Sequence, residues 1–233
     1  MVAAGSLLGA CTTADRPDIV AHPNDKTALL PGASWIATAA VPVVDAFADP
    51  KDATPTDHLT NPDEYGTPLT FLVDTNDADG KWLPVMLPVR PNGTRAWIHA
   101  SDVTLAQTQY RINVELTAHT LKVMSDDDVV LTTQVGVGKD STPTPGGTYY
   151  IKELLEPPNP DTVYGPYVFG LSGFSNVLTS MNGDGQGVIG IHGNNDPSSI
   201  GQNVSHGCIR VPNDVITRMA TFLPLGTPVD ILE

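Results

Sequence analysis

The chain is poor in cysteine, in basic charge and in long apolar runs, and each shortage excludes something. Only 2 of its 233 residues are cysteines, Cys11 and Cys208, and a cysteine in an N-terminal tail is a poor disulfide partner for one near the other end. Lysine and arginine number 12 against 26 acidic side chains, a formal charge of −14. Residues 1–108 and 109–233 each carry 6 basic and 13 acidic side chains, so no basic patch is available to neutralise phosphates, which argues against nucleic-acid binding. No segment approaches the roughly 18 apolar residues that span a bilayer. Long-helix formers are scarce, whereas Gly and Pro number 21 each, so a β-rich globular protein of one large or two small domains is expected.

What is present begins with "MVAAGSLLGACTTADRP". Leu8-Gly9-Ala10-Cys11 resembles a bacterial lipobox, in which the cysteine is lipidated after signal cleavage, although no basic n-region precedes it. The expectation is an exported chain in the bacterial cell envelope, anchored through lipid on Cys11 at the outer face of the cytoplasmic membrane, with no other membrane contact. Residues 1–30 then read as signal remnant and tether. Lipid on Cys11 leaves Cys208 a lone thiol in an oxidising compartment, where pairing is the rule.

From Trp35 to Val44 an apolar stretch predicts one strand, followed by a turn-rich loop, "DPKDATPTDHLTNPDEYGTP". "LTFLVDT", "KWLPVMLPV" and "RAWIHASDV" are three short strands separated by the hairpin signals "NDADG" and "RPNG". "DTNDADG" fails as a calcium loop at both end ligands and reads as a turn. A small β domain over 31–108 is expected; "KWLPVMLPVRPNGTRAWIHASDV" resembles bacterial SH3-like modules that accompany cell-wall enzymes.

A second unit, 109–233, opens with "RINVELTAHTLKVM" and "DDDVVLTTQVGVG", a hairpin around three aspartates. "STPTPGGTYYIKELL" is a loop and a strand, and Glu156–Gly187 reads as a long irregular stretch of the kind that forms lids or binding loops. "GVIGIHG" is a buried strand, "VPNDVITRMATFLP" the one convincing helix, with Val215, Ile216, Met219 and Phe222 on one face, and "GTPVDIL" a closing strand.

His192-Gly193 ends a strand, and His206 stands fourteen residues after His192, within Ser205-His206-Gly207-Cys208. Thiol catalysis needs a base for the thiol proton, a backbone that exposes the sulfur and donors for an oxyanion. His192 or His206 can be the base, and Gly207 allows a sharp turn with its N–H open to a substrate oxygen. Two plainer readings stand beside this one: a buried structural cysteine, and zinc on His192, His206 and Cys208, which lacks a fourth ligand in the sequence nearby.

"IGIHGNN…SHGCIRV", with "TPTPGGTYYI" upstream, resembles the L,D-transpeptidase catalytic domain of the YkuD family over roughly 109–233. The resemblance implies a mainly β sandwich or barrel with one short helix after the cysteine motif. It implies Cys208 as nucleophile, His192 as its base oriented by the Gly193 carbonyl, and an oxyanion hole at the Gly207 and Cys208 amides. Ser205 would hold the backbone, His206 shape the site and Arg210 contact a substrate carboxylate or fix the loop. Tyr164, Tyr167 and Phe174 would line the lid. The implied substrates are peptidoglycan stem peptides, joined as 3→3 cross-links through a cysteine thioester, with carbapenem-type inhibitors able to acylate the same thiol and no metal or organic cofactor needed.

Overall fold

The structure is a computed structural model that describes residues 29–74, 80–179 and 187–233. The expected lipidation site Cys11 and the interior of the "NDADG" turn lie outside the described residues.

The first sheet is built from β1 (Ser34–Ala39), β2 (Val43–Phe47), β3 (Asp57–Thr60), β4 (Thr70–Val73), β5 (Trp82–Met86), β6 (Arg95–His99) and β7 (Val103–Thr108). Their order across the sheet is β3-β2-β6-β5-β4-β1-β7, with a core of Val44, Phe71, Val85, Leu87 and Ile98. Two expectations need correction here. The apolar stretch from Trp35 is two strands, because the chain turns at Val41-Pro42, where proline has no N–H for a ladder. The loop after it contains β3, an edge strand whose His58 meets Asp45 of β2 at 2.6 Å.

The second unit contains β8 (Tyr110–Glu115), β9 (Thr120–Ser125), β10 (Asp128–Gln134), β11 (Val137–Gly138), β12 (Gly147–Leu155), β13 (Val168–Phe174), β14 (Val188–His192), β15 (Asn203–Ser205), β16 (Ile209–Arg210), α1 (Asn213–Ala220) and β17 (Pro228–Leu232). Eight of these strands form one mixed sheet in the order β10-β9-β8-β17-β12-β13-β14-β16, and β11 pairs with β15 beside it. The alternation in "RINVEL" turns Ile112 and Val114 inward, opposite Val123 and Leu121 of β9 and beside Val229 and Ile231 of β17. Helix α1 closes this core with Ile216 and Met219, both fully buried. Full burial of each such side chain contributes about 1.5–3 kcal/mol.

The stretch from Glu156 to Gly187 is not irregular throughout, since it contains β13, a strand in the middle of the sheet with Phe169 and Leu171 buried. Its two glycines disguise it as loop. A Cβ at Gly170 would lie 2.1 Å from Glu153 Oε1, and one at Gly173 would lie 2.4 Å from the Tyr149 ring, so neighbours occupy the space where side chains would be. Phe174 is a buried strand-end residue rather than an open lid residue.

Candidate active site

Parallel pairing of β14 with β16 sets Ile191 beside Ile209 and His192 beside Arg210. Side chains alternate along strands, so Ile191 and Ile209 face the core while His192 and Arg210 share the opposite face, and Cys208 directly precedes β16. Cys208 is a half-buried thiol, exposed enough to meet a substrate.

The turn that delivers Cys208 is held at several points. Ser205, buried at the end of β15, accepts the Gly207 N–H at 3.1 Å and donates its hydroxyl to the Cys208 carbonyl at 2.5 Å. The amide of Gly207, expected to face a substrate oxygen, is therefore committed to Ser205 instead. Gly207 has φ of 121°, a backbone conformation that side chains rarely adopt. A Cβ there would meet only ordinary contacts, the nearest being the Pro143 carbonyl at 3.6 Å, so it is the backbone angle that requires glycine. The Ser205 carbonyl accepts the Thr142 hydroxyl and the Lys139 N–H, both at 3.1 Å, which straps the turn to the "GKDSTPTP" loop. Beyond the cysteine, Arg210 and Gly136 exchange backbone hydrogen bonds of 2.8 and 2.9 Å.

His192 is 4% exposed, and its Nδ1 lies 2.6 Å from the Gly193 carbonyl oxygen. A carbonyl only accepts, so Nδ1 carries the proton and the neutral ring offers Nε2 as the acceptor. Burial drives the imidazole pKa down to about 4; the Gly193 hydrogen bond opposes that shift, and the Arg210 charge adds to it. The Tyr164 ring stands edge-on to the imidazole, 5.1 Å between centroids. Tyr167 supplies its carbonyl to the Gly193 N–H at 3.3 Å and packs its half-buried ring against the core. His206 is exposed at the tip of the turn. Arg210 is half-buried, with its Nε enclosed and without a hydrogen-bond partner in the structure.

Three residues that sequence reasoning passes over fix the Gly193 carbonyl. A Cβ on Gly165 would lie 2.7 Å from Gly193 Cα, and one on Gly193 would lie 2.4 Å from Asn213 Oδ1, so the two glycines pack backbone to backbone under an asparagine. Asn213 Oδ1 accepts the Asn194 N–H at 2.8 Å, and Asn194 Nδ2 donates to the Val211 carbonyl at 2.8 Å. "GNN" after His192 is a visible signal; the partners of those asparagines are not. Among the described residues, no group of three or more His, Cys, Asp or Glu is placed to hold a metal ion.

Residues 109–231 match the sequence model of the YkuD family, described as the L,D-transpeptidase catalytic domain. A Bacillus licheniformis protein named as the L,D-transpeptidase YkuD is 39% identical over 122 residues, and its Bacillus subtilis namesake 37% identical over 122. In both cases the match takes in 52% of this chain and 65% of the relative, so the chain spans less than two thirds of those proteins. Among solved structures, an Enterococcus faecium L,D-transpeptidase is 24% identical, covering 53% of this chain and 50% of that one at a TM-score of 0.42. The catalytic domain of an E. faecium L,D-transpeptidase acylated by ertapenem is 26% identical, covering 54% and 98% at a TM-score of 0.39. More than half of the sequence falls under the family model, which also spans the turn around Cys208, and the chain belongs to the YkuD family of L,D-transpeptidase catalytic domains.

Proposed function

We propose that this protein is a peptidoglycan L,D-transpeptidase that forms 3→3 cross-links through a thioester on Cys208. The observation that carries the reading is the His192 geometry. Its Nδ1–H is spent on Gly193, which leaves Nε2 as the only proton acceptor of a buried, neutral ring at the end of β14, the strand paired with the β16 that Cys208 leads into.

Nε2 takes the thiol proton as sulfur attacks the carbonyl carbon of the third stem residue. Collapse of the tetrahedral intermediate breaks the C–N bond to the terminal D-alanine, whose amine leaves with the proton held by His192. The side-chain amine of a neighbouring stem then attacks the thioester carbonyl and gives its proton to His192, and the sulfur leaves to recover the thiol. The Gly207 amide is engaged by Ser205, so oxyanion stabilisation falls to other donors around the turn. The Arg210 guanidinium, half-buried beside His192, suits a substrate carboxylate. Tyr164 at the imidazole and the cleft of about 390 Å³ lined by Pro157, Pro158, Pro166 and Tyr167 are the surfaces against which a stem would rest. This substrate lies outside the cytoplasm, which agrees with an exported chain anchored through Cys11; labelled palmitate should then appear on the chain and be lost from Cys11→Ala.

Incubation with purified disaccharide-tetrapeptides tests the reading. Dimers with loss of D-alanine support it; trimmed tripeptides without dimers would assign an L,D-carboxypeptidase, and no turnover with no ertapenem adduct would leave a non-catalytic wall-binding protein.

A further inference from the structure

We propose that Arg90 and Asn92, which belong to the first sheet, are positioning residues for the Cys208 site: from the turn between β5 and β6 they hold residues 174–178, the segment that walls the Gly207–Cys208 turn. The proposal rests on the reading of Cys208 as an acyl-forming nucleophile.

Backbone pairing of β13 with β12 runs only from Val168 to Leu171, so the strand continues to Phe174 without that neighbour. Asn92 takes its place. The Phe174 N–H donates to Asn92 Oδ1 at 2.8 Å and Asn92 Nδ2 donates to the Phe174 carbonyl at 2.8 Å, so one side-chain amide pairs with the main chain as another strand would. Arg90 continues the clamp past the strand end. Its Nη1 donates to the Ser175 carbonyl at 2.9 Å and its Nη2 to the Leu178 carbonyl at 3.1 Å, with the guanidinium 4.9 Å from the centre of the Phe174 ring. Four hydrogen bonds and a cation–π contact thus reach 174–178 from residues outside the 109–231 family match.

This segment borders Gly207, the residue before the nucleophile. Ser175 is 1% exposed, its Oγ accepts the N–H groups of Val177 and Leu178 at 3.3 and 3.0 Å, and it lies 4.0 Å from where a Gly207 Cβ would stand. The Pro143 carbonyl lies 3.6 Å from the same Gly207 Cβ position, so the turn is also bordered by the "GKDSTPTP" loop. None of these contacts touches His192.

The full chain carrying Arg90→Ala, Asn92→Ala or both is compared with wild type in three measurements: ertapenem acylation rate by intact mass, Cys208 alkylation by iodoacetamide, and hydrogen exchange. In the double variant, acylation should fall by roughly tenfold to a hundredfold, the scale on which misplacement by about 1 Å acts. Alkylation, which reads the thiol and its base alone, should stay within about twofold. Exchange should quicken in residues 172–178 and stay protected in β8 and β9, which shows the variant is folded. Arg90→Lys should restore part of the rate, since an ammonium can serve one carbonyl but not span two. Faster exchange with an unchanged acylation rate overturns the proposal, leaving the contacts as adhesion between sheets; unchanged exchange overturns it as well. A wild-type chain that is alkylated but never acylated overturns the transpeptidase reading itself and, with it, the role given to the wall.

Discussion

The two flanks of the Cys208 turn are built differently. On the His192 side, each polar group that sets the base is met from within the second unit: Nδ1 by Gly193, the Gly193 N–H by Tyr167, the Asn194 N–H by Asn213 and the Val211 carbonyl by Asn194. On the Ser175 side, the Ser175 N–H is met by the Gly187 carbonyl of the same unit, but the Phe174 main chain and the Ser175 and Leu178 carbonyls are met by Arg90 and Asn92 from the turn between β5 and β6. His192 is thus oriented by residues of its own unit, and the wall in part by residues of the first sheet. Proton transfer tolerates little angular error, whereas a substrate wall held from the neighbouring sheet can be varied without disturbing the imidazole.

That contrast can be broken or sharpened by substitution. The largest effect belongs to neither flank. Cys208→Ala should abolish the ertapenem adduct and dimer formation with little change in stability, measured by intact mass and chemical denaturation. His192→Gln comes next: removing the general base should lower acylation by about 10²–10⁴-fold. It should also slow iodoacetamide, which the Arg90 and Asn92 variants should not. Equal alkylation rates in both sets would erase the distinction between the flanks.

Acidification should act on the base flank alone. The His192 pKa is about 4 when folded against an ordinary value of 6.5, so as pH falls the unfolded chain takes up the proton first. The associated stability is full above about 6.5, declines as pH falls and is gone near 4. It amounts to roughly 3 kcal/mol, because a tenfold difference in proton affinity between the folded and unfolded chain is worth about 1.4 kcal/mol. Urea unfolding at pH 7.0 and 4.5 should show a wild-type loss that His192→Gln lacks and Asn92→Ala retains. The smallest effect is expected at the turn itself. Ser205→Ala leaves the Gly207 N–H buried without its acceptor, a cost of about 1–3 kcal/mol, read as a lower urea midpoint with the slope unchanged.

Much of the second unit is legible in the sequence. Alternation over "RINVEL" and "TLKVM", the uninterrupted "VIGIH" and the Pro212-bounded helix lie where the patterns put them, because burial on one face leaves a period that composition alone displays. Strand β13 is hidden for a physical reason: Gly170 and Gly173 weaken the pattern so that Glu153 and Tyr149 can occupy their space. The apolar stretch from Trp35 hides its break because Val41-Pro42 is as apolar as the strands it separates. Phe174 reads from sequence as a substrate-lining aromatic, but its ring lies under Arg90, whose hydrogen bond to the adjacent Ser175 spans 85 positions of the chain.

What the sequence determined by itself was chemical identity: a thiol, two histidines and a glycine in the order of the YkuD motif, on a chain whose periodicity is that of strands. Burial of His192 against exposure of His206, engagement of the Gly207 amide and the reach of Arg90 and Asn92 to residues 174–178 were decided by tertiary structure. Each of these depends on which groups are buried together and which carbonyl lies within hydrogen-bond reach. Such distances join residues far apart in the chain and leave no period behind.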